Sequence, residues 1–489
     1  MSSIGFASSI KSLLKGAKTV LVVGPEQVFG KKKFPKLLGK KLDALAVELA
    51  KDVSVGDLGG AAKTLTGSEP RQLAVGLLPN RVSRYNTPTR AESVRRVVAS
   101  SAGGKGKLAI ILVADEAEHI LAHAVAIGRC FPQYSGKSKA PRGRRVQIFA
   151  VDRQGKPLAA PTGTAKVVQA VRDSAELVDM PPSELNPETF AAKARELLDG
   201  LKNVEITEIV GDELLENGCG GIHGVGRCAL AAPRLVVATY TPARAAEEEV
   251  RHIALVGKGV TYDTGGLHLK PRGAMEGMKC DMGGAAAVLG AFRVLAQRGC
   301  AHKVSLLLCL AENAIGPASY KPDDILTLHS GKTVEINNTD AEGRLCLGDG
   351  VSWAARELEA DTVFTAATLT GAQMVSTGLL HGALYCADEG LEAAMVAAGK
   401  RCGDLVHPLP FAPEFYRQEF SSVVADMCNS VRNRMNAQSA CAGQFVYNHV
   451  ADTGVRFAHL DLAGPAFPKD RGTGFGVAVL SETILGLDS

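Results

Sequence analysis

Short apolar runs rich in β-branched residues recur along the chain, separated by stretches with helical spacing. In the first third these runs are Thr19–Val23, Gln72–Leu78, Leu108–Ala114 and Val146–Val151. Between them, Ala91–Ala99 and Glu116–Arg129 carry apolar residues at helical intervals. The later runs are Leu235–Thr239, Ile253–Val256, Val304–Cys309, Thr362–Ala366 and Phe457–Leu462, with helices predicted over Gly283–Arg298 and Gly343–Arg356. Such alternation restricts the chain to an α/β architecture, a parallel or mixed sheet covered on both faces. Sheets of that kind place ligands at the carboxyl ends of their strands. A Gly-, Pro- and Thr-rich break at Gly155–Gly163 precedes a helix predicted over Ala165–Val178, which M-P-P-S-E-L-N-P ends.

With 489 residues, two or three domains are expected, each able to bury its own core. The 46% apolar and 22% charged content is that of an ordinary soluble protein. No apolar run approaches the ~18 residues of a membrane span, so no membrane partner is expected. The N-terminus has no acid before Glu26 and runs directly into Thr19–Val23; it reads as the mature start of a cytosolic protein. Eleven cysteines without a C-x-x-C pair argue against a disulfide framework and a zinc ribbon, and fit a reducing compartment.

The net charge of +4 hides a split. Residues 1–160 carry 27 Lys/Arg against 11 Asp/Glu, a net of +16; residues 161–489 carry 28 against 40, a net of −12. The basic runs at 29–41 and 137–145 allow contact with nucleic-acid phosphates. A solvated basic face is the favoured reading, because no helix-turn-helix or zinc-finger pattern accompanies them.

Several motifs fail. His119 and His123 stand four apart but lack the Glu of H-E-x-x-H, and read as an ordinary helix face. Gly218–Gly226 fits neither a dinucleotide fingerprint nor a P-loop, and no G-x-S-x-G occurs. Other stretches work together. V-G-K-G-V-T-Y-D-T-G-G-L-H-L-K-P (256–271) follows an apolar run, which puts Lys258 and Asp263 at or beyond a strand's end. C-D-M-G-G-A-A-A-V sets Asp281 just before a helix, and N-N-T-D-A-E-G-R-L (337–345) supplies Asp340 and Glu342. In an extended segment residues i and i+2 face the same way, so these two acids can reach one site. Alone, each has an ordinary role: Asp281 or Asp340 as a helix cap, Glu342 at a helix dipole, Lys258 on the surface. Four converging carboxylates, however, repel one another, and divalent cations offset that most directly.

These segments resemble the signature of the M17 leucyl aminopeptidases, joined in family order by K-P-D-D-I-L-T-L-H-S-G-K-T-V-E-I, A-A-T-L-T-G-A (366–372) and A-H-L-D-L-A-G (458–464). The resemblance spans roughly 253 to 465; residues 1–160 show no such motif. It implies a smaller α/β N-terminal domain (1–160), a connecting helix (161–182) and a larger catalytic domain (183–489) with a central mixed β-sheet flanked by helices. It implies two divalent metal ions per subunit, Zn or Mn before Co or Mg. One site would match Asp263, Asp340 and Glu342, the other Lys258, Asp263, Asp281 and Glu342. Lys258 would bind as the neutral amine. Lys270 would stabilise the oxyanion formed by attack of an activated water, and Arg344 would hold a bicarbonate. Met278, Asn338, Thr368, Gly371 and Ala463 match the pocket for the first side chain, whose small and apolar character implies Leu or Met at the N-terminus of peptide substrates. The resemblance also implies a cytoplasmic homohexamer, a dimer of trimers.

Overall fold

All nine β-rich runs fall on strands, with only Ala114 and Leu462 one residue past a strand's end, and helices Gly283–Arg298 and Gly343–Arg356 have the predicted bounds. The computed structural model describes residues 1–139, 142–243 and 250–487, so the centre of the basic run 137–145 lies outside the described residues. The chain forms two units, one of residues 1–172 with 399–405, the other of residues 173–398 with 406–489. The chain passes between them inside the helix Thr164–Asp179.

The first unit holds β1 (Ser3–Phe6), β2 (Ala17–Pro25), β3 (Gly60–Leu65), β4 (Gln72–Leu78), β5 (Lys107–Val113) and β6 (Arg145–Val151). Their order is β1-β6-β5-β2-β4-β3, parallel throughout except for β3, which runs against β4. Continuous apolar runs such as Ile110–Leu112 are buried on both faces, as a covered parallel sheet requires. The return segment 399–405 packs into this unit: Thr87 Oγ1 donates to Lys400 O at 2.6 Å, and Arg129 pairs with the fully buried Asp404 at 2.5 Å.

The second unit contains β7 (Val204–Val210), β8 (Arg234–Tyr240), β9 (His252–Asp263), β10 (Lys303–Asn313), β11 (Ile325–Thr327), β12 (Thr333–Glu335), β13 (Thr362–Ala367), β14 (Gly382–Cys386), β15 (Val406–Pro408), β16 (Met427–Cys428) and β17 (Arg456–Asp461). Eight of them form a mixed sheet, β15-β14-β17-β13-β9-β10-β8-β7, and β11-β12-β16 form a small one. The centre is parallel: β9 pairs with β10 on one side and β13 on the other, and β13 with β17. Strand alternation sends side chains of β9 to opposite faces. A Cβ on Gly257 would lie 2.5 Å from Ala285 of helix 283–298, whereas Val256 faces Gly350 of helix 343–356. The sheet is therefore sandwiched between these two helices.

One expectation needs correction. β9 does not end near Val256 but continues to Asp263, so Lys258 lies inside the strand and Asp263 is its last residue. The apolar pattern breaks at G-K-G because helix 283–298 leaves no room for a side chain at 257, while 258 carries a functional amine.

Candidate active site

Three elements deliver the charged residues to the carboxyl ends of the central parallel strands. β9 presents Lys258 and Asp263. The short 3₁₀ turn Met278–Cys280 leads to Asp281, just before helix 283–298. The turn closed by Ala341 N to Asn338 O at 3.2 Å carries Asp340, and Glu342 precedes helix 343–356. Asp340 and Glu342 do converge, with oxygens of Asp263, Asp340 and Glu342 all within 4.8 Å of one another. The extended i, i+2 geometry expected there is not the cause. Asn338–Ala341 is a turn, and Glu342 has helical dihedrals (φ −78°, ψ −39°). Gly265 (φ +85°) lets the loop after β9 fold over the acids; a Cβ there would stand 2.9 Å from Asp340 Oδ1.

The two lysines sit among the carboxylates. Lys258, 2% exposed, places Nζ 2.7 Å from Asp281 Oδ1, 2.8 Å from Glu342 Oε1 and 3.0 Å from Thr368 O. It is not a surface lysine. Lys270 Nζ lies 2.7 Å from Asp263 Oδ2 and 2.5 Å from Asp340 Oδ1. Asp281 stands outside the 4.8 Å group but shares the Lys258 amine with Glu342. Burial pushes the carboxyls of Asp263 (to about 6), Asp281 and Asp340 up, and neighbouring carboxylates add to it. Burial also acts on Glu342, but Lys258 and Lys270 overcome it and hold that carboxyl low, at about 2. Burial works against the Lys258 charge, yet Asp281, Glu342 and Asp263 hold its pKa above the ordinary lysine value. Burial lowers Arg344 to about 10; its Nη1 donates to Asn429 O at 3.0 Å, and its buried Nε has no partner.

Supporting residues escaped the sequence reading. Asn313, at the end of β10, donates to Asp263 Oδ1 at 2.8 Å and Thr339 O at 3.0 Å. Tyr320 OH also donates to Thr339 O. Asp461 Oδ1 accepts from Leu369 N (3.2 Å) and Ala463 N (3.3 Å), and its Oδ2 from Thr370 Oγ1 (2.7 Å). For Asn313 and Asp461 the sequence signal was a polar residue closing a buried strand; Tyr320, between β10 and β11, had none. Through Asp461 the loops bearing Thr368, Gly371 and Ala463 are tied together, and Thr368 Oγ1 reaches Asp281 Oδ1 at 2.9 Å. Met278 and Asn338 are placed by the turns that carry Asp281 and Asp340.

The residues present fit divalent cations. Buried oxygens Asp281 Oδ2 and Glu342 Oε2 have no hydrogen-bond partner, although a buried ionised oxygen is costly to leave unmatched. Four carboxylates face only two ammonium groups. This oxygen-rich set with one amine suits Zn, Mn, Co or Mg without selecting among them.

A buried acid–lysine cluster at the strand ends of an α/β sandwich defines a hydrolytic aminopeptidase once relatives are compared. Residues 173–481 match the catalytic domain of the cytosol aminopeptidase family (Peptidase M17), and residues 18–140 match M17 aminopeptidase N-terminal domain 2. The human protein "Probable aminopeptidase NPEPL1" is 45% identical over 414 residues, 83% of this chain and 78% of its own length. Leucine aminopeptidase 1 of Caenorhabditis elegans is 42% identical over 413 residues, 84% of this chain and 82% of its own. The leucyl aminopeptidase of Trypanosoma brucei in complex with bestatin superposes with a TM-score of 0.88 at 36% identity, covering 98% and 94% of the two chains. The chain belongs to the M17 cytosol aminopeptidase family. Among the described residues no helix is long and apolar enough to cross a membrane.

Proposed function

We propose that the protein is a divalent-metal-dependent aminopeptidase that releases N-terminal Leu and similar apolar residues from peptides. The observation that carries this reading is the convergence of Asp263, Asp340 and Glu342, with Asp281 joined to Glu342 through Lys258 and the buried oxygens Asp281 Oδ2 and Glu342 Oε2 orphaned. Asp263, Asp340 and Glu342 would hold one ion, and Lys258, Asp263, Asp281 and Glu342 the other. When bound, a pair of divalent cations supplies an acidified water and polarises the scissile carbonyl. Lys270 adds positive charge beside the position where an oxyanion develops. Arg344 offers its free Nε–H to a small anion such as bicarbonate. Met278, Asn338, Thr368, Gly371 and Ala463 shape the pocket for the first side chain. Among solved relatives, the bottromycin maturation enzyme BotP is in complex with Mn, at 28% identity and TM-score 0.79 over 97% of this chain. That makes Mn a sensible probe. A catalytic domain over 183–489, a homohexamer and a cytoplasmic location complete the reading.

The test is hydrolysis of Leu-p-nitroanilide by chelator-stripped protein, restored with Mn or Zn. Metal-restored activity is expected in the wild type and absent from the Asp340→Ala, Glu342→Ala double variant. A folded wild type inactive with every cation would overturn the proposal.

A further inference from the structure

We propose that Asn429, with Asn337 as its reciprocal partner, is the positioning residue for the loop bearing Asp340, Glu342 and Arg344, and that it sets cation affinity and turnover without touching substrate. The inference rests on the reading of this site as a divalent-cation peptidase.

β12 and β16 are too short to fix a register by themselves. They pair in parallel at Val334↔Met427 and Glu335↔Cys428, and the backbone ladder ends where Asn429 N donates to Glu335 O at 3.0 Å. Beyond that point side chains continue the pairing. Asn429 Oδ1 accepts from Asn337 N (3.0 Å) and Asn338 N (3.2 Å), while its Nδ2 donates to Asn338 O (2.6 Å) and Ala341 O (3.2 Å). Asn337 returns the arrangement: its Nδ2 donates to Ser430 O, and its Oδ1 accepts from Ser430 N, both at 3.0 Å. Each amide thus brackets the other segment's backbone.

Asn429 is 0% exposed and spends both faces of its amide on the turn that presents Asp340. Its backbone carbonyl also takes Arg344 Nη1 at 3.0 Å. Asp340 N is held from inside the same turn by Asn338 Oδ1 at 3.0 Å. So the turn carrying Asp340 and the side chain of Arg344 share one reference residue, and the turn leads directly into Glu342. Only a neutral amide fits this position. An Asp of equal shape would set a carboxylate against two carbonyl oxygens in a dry site. Residues that orient ligands from behind are worth about 10–100-fold in metal affinity or activity.

The experiment uses the full chain, stripped with chelator, as wild type, Asn429→Ala, Asn429→Asp, Asn337→Ala and the Asn337→Ala, Asn429→Ala double variant. Three quantities are read: the Kd for Mn alone by calorimetry, kcat and KM for Leu-p-nitroanilide at saturating Mn, and the melting temperature of the metal-free protein. Asn429→Ala is expected to weaken Mn binding and lower kcat, each about 10–100-fold, with KM within about threefold. Asn429→Asp should lose at least as much despite its equal volume. Asn337→Ala should lose less, and the double variant no more than Asn429→Ala, because paired residues acting as one clamp are not additive. Wild-type Mn affinity and kcat in Asn429→Ala would overturn the proposal. So would a loss seen only in the metal-free melting temperature. If Asn429→Ala fails to fold, Asn429→Asp and Asn337→Ala decide by the same readouts. A wild type that neither binds Mn nor hydrolyses the substrate overturns the underlying site reading, an outcome distinct from an active wild type beside an unaffected Asn429→Ala.

Discussion

Lys258 has almost no freedom to move. It is 2% exposed on a central strand, and its amine is shared by Asp281, Glu342 and the Thr368 carbonyl. Gly343 closes the remaining space: a Cβ there would lie 2.3 Å from Lys258 Cε and 2.7 Å from Nζ. A long side chain at the surface would swing aside; this one is held at both ends. Gly343→Ala must therefore push the amine off Asp281 and Glu342 or shift the start of helix 343–356. Overpacking of this sort costs about 1–3 kcal/mol of stability. The larger effect falls on the site, where a displacement of about an ångström can cost ~100-fold in rate. Purified Gly343→Ala is expected to keep its circular dichroism spectrum and lose at least about 100-fold in kcat/KM for Leu-p-nitroanilide. Near wild-type turnover would show that Lys258 is less constrained than its contacts imply. At this scale the acids were legible in the sequence because charge in a Gly-rich setting stands out. Asn313, Asn429 and Asp461 were not, because a buried amide or acid at a strand end carries no local signature until its partners, drawn from distant segments, are known.

Among elements, helix 283–298 fixes how closely Asp281 approaches the sheet. It sits unusually near the backbone beneath it: a Cβ on Gly284 would lie 2.0 Å from Ala366 O and 2.8 Å from Ala367 Cα, both main-chain atoms of β13. No rotamer change relieves such a contact. Gly284→Ala should lift the first turn of the helix, carry Asp281 away from Lys258, and destabilise the protein by about 1–3 kcal/mol or more. A lowered urea midpoint with an unchanged m-value is the expected result. A midpoint equal to wild type would mean that helix and sheet slide without cost. Close packing also explains what the sequence revealed about elements. Central strands read clearly, since burial on both faces demands unbroken apolar runs. The strands β11, β12, β15 and β16 did not, because two or three residues leave no periodic pattern, and the half-exposed β3 and β7 did not, because their polar residues break the apolar run. The continuation of β9 through G-K-G was hidden by the residues that build the site. The N-terminal match to an M17 domain, over residues 18–140, was also beyond reach, since no chemistry-bearing motif marks it.

For the whole molecule, acid acts on a buried neutral histidine in each unit. In the first unit His123 is 3% exposed, with Nε2 2.7 Å from Thr89 O. Burial lowers its pKa to about 4; His119 and Arg90 push the same way, while the Thr89 carbonyl and Asp115 push back. In the second unit His449, bonded through Nδ1 to Ser330 Oγ at 2.7 Å, is lowered by burial to about 3. The sign follows from linkage. A histidine whose folded pKa is depressed below the unfolded value of about 6.5 contributes stability in full above that value, and loses it as pH falls toward the folded pKa. Between pH 7 and pH 5, His123 should cost about 2 kcal/mol. The total slope will not show this alone. The buried Asp349, raised by burial to about 7, acts in the opposite sense, binding a proton more readily folded than unfolded across the same range. A difference between proteins isolates the histidine. Gln at 123 keeps a donor for Thr89 O and cannot titrate there. Urea unfolding of wild type and His123→Gln at pH 7 and pH 5 is the measurement. The variant is expected to lose about 2 kcal/mol less than wild type on acidification, whatever its stability at pH 7. Equal losses would mean that His123 titrates in the folded protein much as it does unfolded, with a partner that stabilises its protonated ring, and that the acid sensitivity of the first unit lies elsewhere.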